Sequence, residues 1–187
     1  MNHPETILRT LDRHLIHPVR LILYGRAALA LGFPSPTPEF EATLDVDAIL
    51  PLIEMESIES DDQFWTALES TNRELEPQGL YITHLFGEDQ VILSRGWLDR
   101  LVSIEVTGLL NLSLFRPSTE DLILTKMMRI DPQDRADLQF LLAQGAPGLE
   151  SILVTPESTQ LPDILEIISA FEANKEWLLE VLSGDAA

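Results

Sequence analysis

The run Val19-Arg20-Leu21-Ile22-Leu23-Tyr24 constrains this chain more than any other feature: it is short, almost wholly apolar and rich in β-formers, and it stops at Gly25. A run of that length bounded by a turn signal predicts a buried strand. A strand of this kind needs neighbours in a sheet and packed layers over it. After the glycine, Arg26 to Leu31 is rich in Ala and Leu, so the segment reads as strand, turn, helix. Upstream, Ile7, Leu8, Leu11 and Leu15 recur at helical spacing and predict an amphipathic helix over residues 5–15, interrupted at Pro18.

Phe33 to Glu41 holds three prolines and predicts a loop. Thr43 to Leu50 then alternates, with Leu44, Val46 and Ala48 on one face and Asp45 and Asp47 on the other. Asp61 or Asp62 can cap a helix running to about Arg73, which Pro77-Gln78-Gly79 breaks before a strand over Leu80 to Leu85. Val91 to Leu93, Leu101 to Val106 and Leu110 to Phe115 read as short strands and turns. Pro117-Ser118-Thr119 opens a helix through Met127, and Asp131-Pro132 opens another that ends at Gly145. Ala146 to Gln160 reads as a linker, and Leu161 to Leu182 as a final amphipathic helix. The expected organisation is a core over residues 1–145, with residues 146–187 as linker and a helix packed on it.

Composition narrows the partners. The 187 residues are 45% apolar, enough for one domain with a real core. Asp and Glu number 31 against 12 Lys and Arg, a formal charge of −19 that repels nucleic acid and anionic membranes. With no cysteine, thiolate metal sites and cysteine nucleophiles are excluded. No apolar run approaches the ~20 residues of a membrane span, and residues 1–6 have neither a basic start nor an apolar stretch. A cytoplasmic, acidic protein is expected.

The chemistry concentrates at Asp45 and Asp47. Carboxylates two residues apart on one strand face lie roughly 6–7 Å apart at Cβ, which suits a shared Mg²⁺ that also takes substrate phosphates. A glycine turn into a helix N-terminus offers backbone N–H groups to a phosphate. Together they form a candidate metal–nucleotide site. On the residues alone the Asp pair is equally a solvated strand face, and Gly25 equally a tight turn.

The run Leu23 to Leu31, the Pro-rich loop and Thr43-Leu44-Asp45-Val46-Asp47 resemble the signature of polymerase-β-like nucleotidyltransferases. The later block, Pro117 to Arg129 continuing into Asp131 to Leu141, is similar to that of nucleotidyltransferase-like proteins and of abortive-infection toxins of toxin–antitoxin systems. The resemblance covers about residues 5–142. It implies an α+β fold, a mixed sheet flanked by helices with a helical C-terminal part. It also implies Mg²⁺ on Asp45 and Asp47, with an NTP bound by Gly25, Arg26, Thr43 and Lys126. Accessory roles fall to Arg129, Asp134 and Asp137. From its position alone, Glu105 is a candidate third carboxylate on a neighbouring strand. Asp134 and Asp137 equally suit a helix start, where the dipole favours acids. The implied reaction is nucleotidyl transfer to a hydroxyl of a small molecule or a protein. Two positions depart from the pattern: Arg26 stands where Gly or Ser is usual, and Glu41 where Arg is usual. An ion pair between them is expected, marking a relative with lost or altered nucleotide binding. The alternative function is a catalytically silent interaction protein of a toxin–antitoxin-like pair.

Overall fold

Residues Val19–Tyr24 form β1, the central strand of a five-stranded mixed sheet, so the most apolar run takes the most buried position. The computed structural model describes residues 2–155 and 157–183. In chain order its elements are α1 (His3–His14), β1, α2 (Gly25–Gly32), α3 (Pro38–Glu41), β2 (Asp45–Leu50), α4 (Leu52–Glu59) and α5 (Asp62–Leu75). Then follow β3 (Tyr81–Gly87), β4 (Leu93–Ser94), β5 (Val102–Ile104), β6 (Leu112–Arg116), α6 (Thr119–Lys126), α7 (Pro132–Gln144), α8 (Leu149–Val154), β7 (Thr159–Gln160) and α9 (Leu165–Ser183). They divide into two units, one of residues 1–87 with 101–116, the other of residues 88–100 with 117–187.

The first unit holds the whole large sheet, in the order β3-β2-β1-β6-β5. β1 runs parallel to β6 and antiparallel to β2, while β3 runs parallel to β2. Ile7, Leu8 and Leu11 of α1 are fully buried, as their spacing predicts. α1 is also tied down by a carboxylate. Asp12 is buried and accepts the backbone N–H groups of Leu110, Asn111 and Leu112, where the chain enters β6. At the far end of α5, Asn72 reaches the edge strand. Its amide donates to the carbonyl of Ile82 (3.0 Å) and accepts from the Ile82 N–H (2.7 Å), occupying both backbone groups there.

The second unit is mostly helical, with β4 and β7 as a short antiparallel pair. Ser118 caps α6 by accepting from the Asp121 N–H, and Asp131 caps α7 from just before its proline. Asp121 is fully buried; it accepts from the Ser94 N–H and hydroxyl and from the Ser118 hydroxyl, which ties α6 to β4. Asn174 of α9 is buried and donates to the carbonyls of Met127 and Arg129, which α6 leaves unpaired at its end.

Two expectations about connecting segments change. Residues 33–41 are not all loop, because Pro38 begins the one-turn helix α3, a position that tolerates the missing N–H. The expected linker over residues 146–160 holds α8, with Leu149 and Leu153 buried, and β7, which pairs with β4; Pro156 lies outside the described residues. Among the described residues no helix is long and apolar enough to cross a membrane.

Candidate active site

The carboxylates of Asp45 and Asp47 lie where β1 ends. Tyr24, the last residue of β1, pairs with Asp47, so Asp45 stands level with the start of α2. Alternation puts both Asp side chains on one face of β2, each half-buried, while Val46 and Ala48 point into the core. Leu44 does not join that core face: it precedes the strand and is exposed. Asp45 is held by a neighbour, since the Thr43 hydroxyl donates to its Oδ1 at 2.8 Å.

Gly25 makes the turn. Its φ is +63°, in the left-handed region that L side chains rarely adopt, and it is the first residue of α2. A Cβ at this position would lie 3.5 Å from Asp47 Oδ2, so the turn and the carboxylate border one space. No side chain caps α2 and no acid sits in its first turn, which leaves the positive end of the helix biased toward an anion. Tyr24, the β1 partner of Asp47, and Phe86 of β3 meet edge to face at 5.7 Å between ring centroids.

Arg26 follows the glycine and turns toward α3. Its guanidinium lies 5.6 Å from the centroid of the Phe40 ring. The Glu39 carboxyl is held below its usual range chiefly by its own backbone N–H, then by the Thr37 hydroxyl, with a smaller contribution from the Arg26 charge. Arg26 thus lies against α3 with its guanidinium over Phe40, the residue before its expected partner Glu41.

Glu105 is a correction. It follows β5, which the sheet order puts at the opposite edge from β3, with β1 and β6 between it and β2. β5 runs antiparallel to β6 from Val102 opposite Arg116 to Ile104 opposite Leu114, which carries Glu105 away from the end where the Asp pair lies. Its contact is local, with the Ser103 hydroxyl donating to Oε1 at 3.0 Å. It is no third carboxylate on a neighbouring strand. The strands that flank β2 are β1 and β3.

The residues of the second block meet one another inside the other unit. Lys126 is buried at the last turn of α6 and donates to Asp134 Oδ1 at 3.1 Å and to Asp137 Oδ2 at 2.6 Å. Asp134 and Asp137 share a face of α7, and Arg129 adds a hydrogen bond to Asp134 from the rim. Burial pushes the Asp134 carboxyl up, but the Arg129 hydrogen bond and the Lys126 charge outweigh it and hold the group below the usual carboxylate range. Arg129 is raised in turn, chiefly through its hydrogen bond to Asp134. The role implied for Lys126 at a phosphate gives way to an internal one, because its ammonium is committed to two buried carboxylates.

Among the described residues no group of three or more His, Asp or Glu is arranged to hold a metal ion. The donor set at β2 is two carboxylates on one face, which fits a hard cation that completes its shell with water and phosphate. A strand bearing paired carboxylates beside a strand–glycine–helix turn, within a mixed sheet flanked by helices, defines a nucleotidyltransferase-like domain. The model of the family described as "Nucleotidyltransferase of unknown function (DUF6036)" matches residues 7–144, and the chain belongs to that family. No curated protein and no solved structure matches it.

Proposed function

We propose that this chain is a Mg²⁺-dependent nucleotidyltransferase that moves a nucleotidyl group from an NTP to a hydroxyl of a small molecule or a protein. The observation that carries the reading is the closeness of Gly25 and Asp47: a Cβ on the glycine would stand 3.5 Å from the carboxylate oxygen. An anion-binding helix end and a cation-binding carboxylate share one space, as a metal–triphosphate complex requires.

Asp45 and Asp47 hold the cation, and Thr43 fixes Asp45 by its hydrogen bond. When bound, Mg²⁺ neutralises charge building on the phosphoryl oxygens and orients an in-line attack. The turn at Gly25 receives the phosphates on backbone N–H groups at the start of α2. The acceptor oxygen bonds to the α-phosphorus, the bond to the bridging oxygen of the β-phosphate breaks, pyrophosphate leaves, and the hydroxyl proton passes to water.

The test is thermal stability with Mg²⁺ and each of ATP, CTP, GTP and UTP in turn. A nucleotide at 100 times its Kd adds about 2.7 kcal/mol to the native state, and Asp45→Asn removes that gain. Absence of a shift with all four nucleotides refutes the reading. It would favour the second one, a catalytically silent member of a toxin–antitoxin-like pair that meets a basic partner protein. That alternative draws on the charge of −19, which steers basic partners, and on Arg26 beside the glycine turn.

A further inference from the structure

The second unit carries an apolar groove between the turn that follows α6 and the first turns of α9. Its volume is about 580 Å³, and Met128, Ile130, Leu165 and Ala170 line it, with Arg129 and Glu166 beside them. Leu165 is 78% exposed and Ile130 61%, and Ile164, the neighbour of Leu165, is exposed as well. Single exposed apolar residues are ordinary, but large ones gathered around one concavity mark a binding surface. Loose packing does not open the groove. Asn174 of α9 donates to the carbonyls of Met127 and Arg129, and Ala170, Phe171 and Leu178 of the same helix are buried. The walls are therefore held before anything binds. One of them, α9, lies beyond the residues 7–144 that the family model matches.

Charge selects the occupant. Arg129 hydrogen-bonds to Asp134, and Asp131 adds to the negative field around it, so its own charge is already answered. Lys175, the single cation of α9, pairs with Glu172. Glu166 in the wall and Asp163 just before α9 are exposed carboxylates. A second copy of this chain would set this acidic rim against its like, and an anionic bilayer would be repelled too.

We propose that the groove docks a basic amphipathic helix of a partner protein. Its apolar stripe lies against Met128, Ile130 and Leu165, and its Lys or Arg side chains stand beside Glu166, Asp163 and Asp131. Such pairing puts apolar anchors at the centre and charge at the rim. The inference is independent of the nucleotidyltransferase reading, because docking here needs neither metal nor nucleotide.

The experiment follows a dye-labelled amphipathic helix of Leu and Lys by fluorescence anisotropy as the full chain is added. A helix of Leu and Glu in the same pattern is the probe of opposite charge. The expected result is one Leu/Lys helix per chain, bound more weakly as salt rises, and no binding of the Leu/Glu helix. Ile130→Ser combined with Leu165→Ser leaves the net charge unchanged and weakens binding about 10-fold or more, as loss of two central anchors does. Ile53→Ser combined with Leu110→Ser removes two still more exposed side chains from the other unit and leaves binding unchanged. All four positions are exposed, and equal melting temperatures confirm that folding is intact; Glu166→Lys, which alters the rim alone, weakens binding as well. Equal loss in both double variants, or loss in neither, overturns the inference, since attraction to the charge of −19 as a whole would then account for binding. Absence of Leu/Lys binding overturns it, and so does equal binding of the Leu/Glu helix. A dimer in sedimentation that Ile130→Ser with Leu165→Ser abolishes overturns it in favour of a second copy.

Discussion

Replacing Lys126 by Met tests whether the second block of residues serves the fold or a ligand. Lys126 is buried with its ammonium between two carboxylates, of which Asp137 is fully buried and Asp134 nearly so. Met fills most of the same volume but leaves both carboxylates without their shared counter-charge, and Arg129 reaches Asp134 from a position that is 67% exposed. Breaking a buried pair by removing one partner costs about 3–5 kcal/mol. For a chain of this size each kcal/mol moves Tm by about 2–4 °C, so the expected fall is roughly 6–20 °C. The penalty also depends on pH. In the wild type the depressed Asp134 pKa contributes stability that is fully present above the unfolded value of about 3.9 and is lost as pH falls through the lower native value. Without Lys126 the burial of the Asp134 carboxyl, which raises its pKa, is opposed by Arg129 alone, so the cost of Lys126→Met is largest at pH 7 and shrinks toward pH 4. Urea unfolding followed by far-ultraviolet circular dichroism at both pH values measures this. Adding Asp134→Asn and Asp137→Asn should recover most of the loss, because a neutral cluster of similar shape needs no counter-charge. A Lys126→Met variant within about 1 kcal/mol of wild type at pH 7 refutes the reasoning.

Three further outcomes are expected. Gly25→Ala pays for a left-handed non-glycine residue, about 1–2 kcal/mol of stability by urea unfolding, and loses the melting shift with Mg²⁺ and nucleotide because its methyl stands in the phosphate space. Asp12→Ala leaves the N–H groups of Asn111 and Leu112 without their acceptor and costs about 2–6 kcal/mol by urea unfolding, with the melting shift on Mg²⁺ and nucleotide retained. Asn174→Ala uncovers two carbonyls at the end of α6 and costs about 1–3 kcal/mol by the same unfolding assay, with an m-value like that of the wild type.

The parts of the site that were legible in the sequence are those whose signal is local. β1 announces itself by composition, Gly25 by its place after a strand, and the shared face of Asp45 and Asp47 by simple alternation. α7 declares its start through Asp131-Pro132, and the structure agrees to the residue. The helix α4 was silent for a physical reason. Among its residues none is buried, so no apolar stripe marks it; it is tied to the unit by Arg20 pairing with Glu54 and by the Trp65 indole donating to the Ile58 carbonyl.

What the sequence hides is pairing between distant segments. Glu105 follows a strand that looks as plausible a neighbour of β2 as β3 does when only hydropathy is read, since sheet order is decided by which strands dock across long connections. The second block shows the opposite failure. Lys126, Asp134 and Asp137 have residue types suited to phosphate and metal, and residue type is what a motif displays. The structure shows the three bonded to one another instead, with Asp134 and Asp137 one turn apart facing the lysine at the end of the preceding helix. Ionisable residues in a motif therefore divide by where their charges are spent. Asp47 borders the glycine turn and Lys126 faces carboxylates of its own unit, so mutating the first should change ligand binding at nearly constant stability, and mutating the second should do the reverse.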